Sequence, residues 1–171
     1  MNLREEILRE HSKKQTLRIV DYVGNDKSRF AELMDLFFHG EYRVVQRSAW
    51  AMSIVSRKYP QLFEPYFQKA LDYLKQPNLH DAVERNILRV VQDLAIPESL
   101  RGELVNSCLA YIEEPNKPPA IKAFSISVLE NICRNYPELA EEIKVILDQR
   151  LPYESPAFQS RAKRFLKKFS R

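Results

Sequence analysis

Imidazoles, thiols and carboxylates are the groups that could bring catalysis to this chain, and their spacing argues against it. His11, His39 and His80 fall in or beside expected turns or helix ends, and no His-x-x-x-His or Cys-x-x-Cys spacing occurs. A metal centre needs several such ligands converging, so none is expected. Cys108 and Cys133 fall at core-like positions inside expected helices and read as buried free thiols. Gly24, Gly40 and Gly102 stand alone, so no phosphate-cradling loop can be drawn through them. Glu138, Glu141, Glu142 and Asp148 read as solvated charges of one helix. Glu84 and Asp93 share a helix with Arg85 and Arg89, as ordinary helical ion pairs do. No catalytic residue, cofactor, metal or small-molecule ligand is expected.

Cations are the more promising chemistry. Arg43, Arg47, Arg85, Arg89, Lys122, Arg161, Arg164 and Lys168, with Trp50 among them, form a candidate binding row. Guanidinium forks suit carboxylates and phosphates, and a tryptophan between arginines could stack on a nucleobase. The register mates of Trp50 are Leu88 and Ile126, which favours packing between neighbouring helices instead; Arg164 breaks that series.

These residues must be positioned by a repeating element. Val45-Gln46-Arg47, Val83-Glu84-Arg85, Ile121-Lys122-Ala123 and Gln159-Ser160-Arg161 follow one another every 38 residues. Met52, Val90, Val128 and Leu166 sit at the matching seventh position. Between them, Pro60-Gln61-Leu62, Pro97-Glu98-Ser99-Leu100 and Pro137-Glu138-Leu139 each open a new apolar stretch. Such self-similarity marks stacked helical repeats. The prolines mark where helices stop and start. Apolar spacing is helical throughout, as in Leu62, Phe63, Tyr66, Phe67, Ala70, Leu71 and Leu74, and no strand is expected.

The spacing predicts first helices over 28–38, 61–75, 98–113 and 138–150. Second helices are predicted over 42–58, 81–95, 119–135 and 157–169. Residues 1–27 read as an N-terminal cap: a helix started at Ser12, with capping-box spacing to Gln15, and ended by Gly24-Asn25, with residues 3–10 forming either a separate amphipathic helix or a continuation of it. Ser155-Pro156 offers an N-cap and first-position proline to the last helix.

The segment Val44-Val45-Gln46-Arg47-Ser48-Ala49-Trp50-Ala51-Met52 resembles HEAT and armadillo-like repeats, in which an apolar helix and a turn lead to a second helix opening with an aliphatic and a basic residue. Here the basic residue comes two places after the aliphatic one. The resemblance implies an all-α, right-handed α-α superhelix of about four helix pairs, a single domain over residues 1–171 divided as 28–59, 60–96, 97–136 and 137–171 after the cap. It also implies binding in a concave groove lined by the second helices, which places the cationic row there.

Charge divides between the layers: the second helices are net basic and the first net acidic, although the whole chain carries only +4. That segregation could steer an anionic partner. A solvated capping helix accounts for much of it, because the stretch from Pro156 onward is rich in Lys and Arg without one Asp or Glu. The favoured reading is a non-catalytic scaffold that binds a protein partner. The alternative is nucleic-acid binding, on a similarity in fold to HEAT-like alkylation-repair DNA glycosylases, whose catalytic carboxylate and paired aromatics are not assignable here. Composition is that of a soluble protein, 44% hydrophobic and 29% charged. No apolar run approaches a membrane span, and the charged N-terminus does not resemble a signal peptide, so no membrane partner and a cytoplasmic location are expected.

Overall fold

Helices account for the architecture. The computed structural model describes residues 1–170, and no strand occurs among them. The chain folds as two compact units, Met1–Val90 and a second that begins at Val91.

In the first unit α1 (Leu3–Arg9) and α2 (Lys13–Val23) precede the pair α3 (Lys27–His39) and α4 (Tyr42–Lys58), which is followed by α5 (Phe67–Leu74) and α6 (Asp81–Val91). Ser12 Oγ accepts the Gln15 N–H at 3.1 Å, so the expected cap forms. The expected reciprocal half does not. Gln15 Nε2 donates instead to the Glu6 carbonyl at 2.7 Å and to Glu6 Oε2 at 2.8 Å, tying α2 to α1. Gly24, at φ +50°, ends α2, and Asp26 Oδ1 accepts the Arg29 N–H at 2.9 Å to begin α3. That backbone bond holds the Asp26 carboxyl below its usual range. The corner between α3 and α4 closes on Gly40, where a Cβ would lie 2.3 Å from the Leu36 carbonyl oxygen and 2.8 Å from Val44 Cγ1. α3 packs on α4, and Phe30, Leu33 and Phe37 of the one and Val44, Met52 and Val55 of the other are all buried.

One expected helix is broken. Residues 61–75 do not run as one element: two 3-10 turns, Pro60–Leu62 and Glu64–Tyr66, precede α5. Pro65 is the cause: it has no N–H to donate back along an α-helical ladder, and the chain takes the tighter 3-10 pattern instead, with the Tyr66 N–H on the Phe63 carbonyl at 2.8 Å. Leu62, Phe63 and Phe67 are nonetheless buried, so the apolar face survives the break.

The second unit holds α7 (Glu98–Glu113), α8 (Pro119–Cys133), α9 (Ala140–Arg150) and α10 (Pro156–Lys168). Both α7 and α10 pack on α8. Accordingly α8 is buried nearly all round: Ile121, Val128, Leu129 and Ile132 are enclosed, and so are Lys122, Ser125 and Glu130. Ser155 Oγ accepts the Phe158 N–H at 3.3 Å, and Pro156 takes the first position of α10, as its sequence predicts. Helix 81–95 is shorter than expected; it stops at Val91, and the Asn131 side chain donates to the Leu94 carbonyl just beyond at 2.8 Å. No helix among the described residues is long and apolar enough to cross a membrane.

Candidate interaction surface

Arg43, Arg47, Trp50, Arg85 and Arg89 lie in the first unit. Arg43, in the first turn of α4, is exposed and makes no ion pair among the described residues. Arg47, one turn on, is committed inward: its Nη1 donates to the carbonyls of Leu8 at 2.8 Å and Ile7 at 3.4 Å. Those carbonyls end α1 and lack helical donors, so the guanidinium closes the helix and offsets its dipole. Part of the Arg47 guanidinium is thus engaged within the first unit, although the side chain is only half-buried. Trp50 is half-buried and sits edge-on to the His11 ring, with centroids 6.2 Å apart. Arg85 and Arg89 are half-buried on α6, and Arg89 interacts within the protein.

Lys122, Arg161, Arg164 and Lys168 belong to the second unit. Lys122, expected on the binding row, lies instead in the interior. Its side chain is 2% exposed, and Nζ lies 2.8 Å from Glu154 Oε1, which Arg150 Nη2 also approaches to 2.5 Å. It forms part of the interior and leaves the proposed surface. Burial alone would raise the Glu154 carboxyl, but the hydrogen bonds from Lys122 and Arg150 outweigh it and hold the group below its usual value.

Around Glu130, whose side chain is 5% exposed, three cations converge. Arg164 Nη2 lies 2.8 Å from Oε2, Lys168 Nζ lies 3.0 Å from Oε1, and Arg134 Nη2 lies 3.6 Å from Oε1. Here too burial works against ionisation, while Lys168 and Arg164 prevail and keep the carboxyl ionised below the ordinary range. Arg161 continues the network: Nη1 donates to Ser127 Oγ at 2.6 Å and Gln92 Oε1 at 3.2 Å, with the guanidinium 5.0 Å from the Phe124 ring centre. Burial makes Arg161 less basic than a free arginine, and the neighbouring Arg164 charge adds to that.

Desolvation pushes the Cys108 thiol up to about 12 and the Cys133 thiol up to about 11, so neither supplies a thiolate near neutral pH. No group of His, Cys, Asp and Glu that could hold a metal ion occurs among the described residues.

Residues 3–169 match the family model described as HEAT repeat domain. The chain belongs to the HEAT repeat family. Neither the curated proteins nor the solved structures yield a match. In this HEAT repeat protein, sequence reasoning missed Glu130 and Glu154, the carboxylates that claim the cations. A signal was present: between Pro119 and Cys133 the only charges are Lys122 and Glu130, and the remaining residues are almost all apolar or small. A helix of that composition is enclosed on most faces, so its charges must find internal partners.

Proposed function

We propose that this HEAT repeat protein is a non-catalytic scaffold or adaptor that binds a protein partner through the exposed side chains of its second helices. HEAT repeats are helical repeats commonly used for protein interaction. The observation that carries the choice of partner is the internal commitment of the cations. Arg47 is held by α1 carbonyls, Lys122 by Glu154, and Arg164 and Lys168 by Glu130. At these four residues nucleic-acid phosphates would have to compete with carboxylates and carbonyls already in place, which reduces the counterion release they could contribute. A protein partner tolerates a mixed surface: Arg43 and Arg85 supply charge, while Tyr42, exposed at the start of α4, and Trp50 supply aromatic anchors of the kind that dominate protein interfaces.

The test compares the tagged chain with an Arg43→Glu, Arg85→Glu variant, both expressed in the native host. The proposal expects a protein that co-purifies with the parent chain and is lost from the variant, while both keep the same helical circular dichroism. Co-purification of nucleic acid instead, removed by raised salt, would overturn it in favour of the phosphate-binding alternative.

A further inference from the structure

Within the second unit an open groove of about 500 Å³ runs between α7 on one side and the Pro137–Leu139 turn with α9 on the other. We propose that this groove docks an amphipathic helix of a partner protein that carries an apolar ridge flanked by Lys or Arg. The inference rests on the protein-binding reading above, but not on which second-helix residues take part.

Its floor is apolar. Val105, Leu109 and Leu139 are half-exposed over the buried Ile132. The lining residues of α7 recur at helical spacing from Glu98 to Leu109, a stripe of about 16 Å, or three turns. That length and volume fit two or three large side chains of a docked helix. An extended peptide would gain nothing comparable, because the described residues of the second unit form no strand and offer no sheet edge for its backbone to pair with.

Gly102 supplies the independent observation. It lies inside α7 without a positive φ, and nothing lies within 4 Å of where its Cβ would be. Neither backbone conformation nor packing calls for glycine there, and glycine weakens a helix interior relative to alanine. What the missing side chain does is lower the groove wall. A residue that breaks a local rule without structural compensation points to use of the space it leaves.

Charge sets the partner's chemistry. Glu98 and Glu142 stand on the rim, and Glu138 is exposed on the same turn as Leu139. The cation lining the groove, Arg101, is held by the wall: Nε donates to the Ile96 carbonyl at 3.0 Å, the guanidinium covers the Tyr136 ring and donates to its hydroxyl, and that hydroxyl donates to Glu98 Oε1 at 3.4 Å, which leaves Glu142 and Glu138 as the rim carboxylates without that tie. The rim therefore presents carboxylates, which favour Lys and Arg flanks and repel acidic ones.

The experiment titrates the full chain with two synthetic peptides that share leucines at helical spacing and differ only in Lys or Glu flanks. Binding is read by fluorescence anisotropy and by methyl NMR. The Lys peptide is expected to bind at least about tenfold more tightly than the Glu peptide, moving the methyl signals of Val105, Leu109 and Leu139. Gly102→Leu is expected to abolish this binding, and Glu142→Lys to weaken it. Gly102→Ala should raise Tm by about 2–4 °C, which separates a blocked groove from an unfolded chain. Equal binding of both peptides, shifts elsewhere, no binding, or full binding by Gly102→Leu would each overturn the proposal. So would a concentration-dependent dimer abolished by Gly102→Leu, which would give the groove to a second copy of the chain. If the peptide fails while the Arg43→Glu, Arg85→Glu variant still loses its co-purifying protein, only the groove is withdrawn.

Discussion

Arg164 reaches Glu130 with Nε and Nη2 on the same carboxylate oxygen, Oε2, each at 2.8 Å. The carboxylate is buried on α8, whereas the Arg164 side chain is 57% exposed on α10, so the pair pins a surface helix to an interior one. Glu130→Ala leaves Arg134, Arg164 and Lys168 crowded without a counter-charge. We expect a loss of about 1–2 kcal/mol by urea denaturation, moderated because the cations can turn to water. An unchanged midpoint would mean that the pair does not anchor α10.

The Lys122–Glu154 pair should behave asymmetrically. Glu154→Leu strands a lysine that is 2% exposed and should cost about 3–5 kcal/mol. Lys122→Met should cost about 2–3 kcal/mol, because Arg150 remains on Glu154. The double variant should lose less than the sum, since an apolar pair replaces a desolvated ionic one. Denaturation of the three variants measures the coupling, and strict additivity would contradict it.

Two glycines should respond in opposite directions to the same substitution. At Gly40 a methyl group would strike the Leu36 carbonyl and Val44, so Gly40→Ala should destabilise by about 2 kcal/mol or more. At Gly102 the space is open and the helix gains, so Gly102→Ala should stabilise by about 0.5–1 kcal/mol. Calorimetric Tm values in parallel distinguish the two.

Acid should loosen the second unit. The Glu130 and Glu154 carboxyls sit below the ordinary glutamate value of 4.5 when folded, so the unfolded chain takes up their protons first as pH falls. Their stabilisation is fully present above that value and is lost as pH drops through the lower folded values. Denaturant midpoints should hold steady from neutrality to about pH 5 and then fall. Glu130→Gln should flatten that decline; an unaltered acid slope would remove this group from the explanation.

Much of the fold was legible because helical period and proline placement are local signals. Residues 42–58 and 98–113 form helices with the expected bounds, and Ser12, Gly24 and Ser155 terminate helices as their chemistry requires. Pro65 was legible too, yet the apolar run from Leu62 to Leu74 pointed to an unbroken helix; backbone chemistry prevailed over periodicity. The candidate surface was far less legible. Arg47 finds its acceptors about 40 positions away in the chain, and Lys122 meets Glu154 across 32 positions. A helical wheel states which way a side chain leaves its own helix, but not which helix end or carboxylate lies there. Glu130 shows the cost of that blindness: one acidic residue on a cation-poor helix reads as incidental until α10 is folded onto it.

The central claim is that Arg47, Lys122, Arg161, Arg164 and Lys168 of the cationic row serve the protein's own structure before any polyanion. Fluorescence anisotropy of a labelled DNA duplex, titrated with the chain at low and then raised salt, tests it most directly. The account predicts weak binding with a shallow salt dependence, little altered by Arg43→Glu with Arg85→Glu. Tight binding that collapses steeply with salt and vanishes in that variant would contradict it.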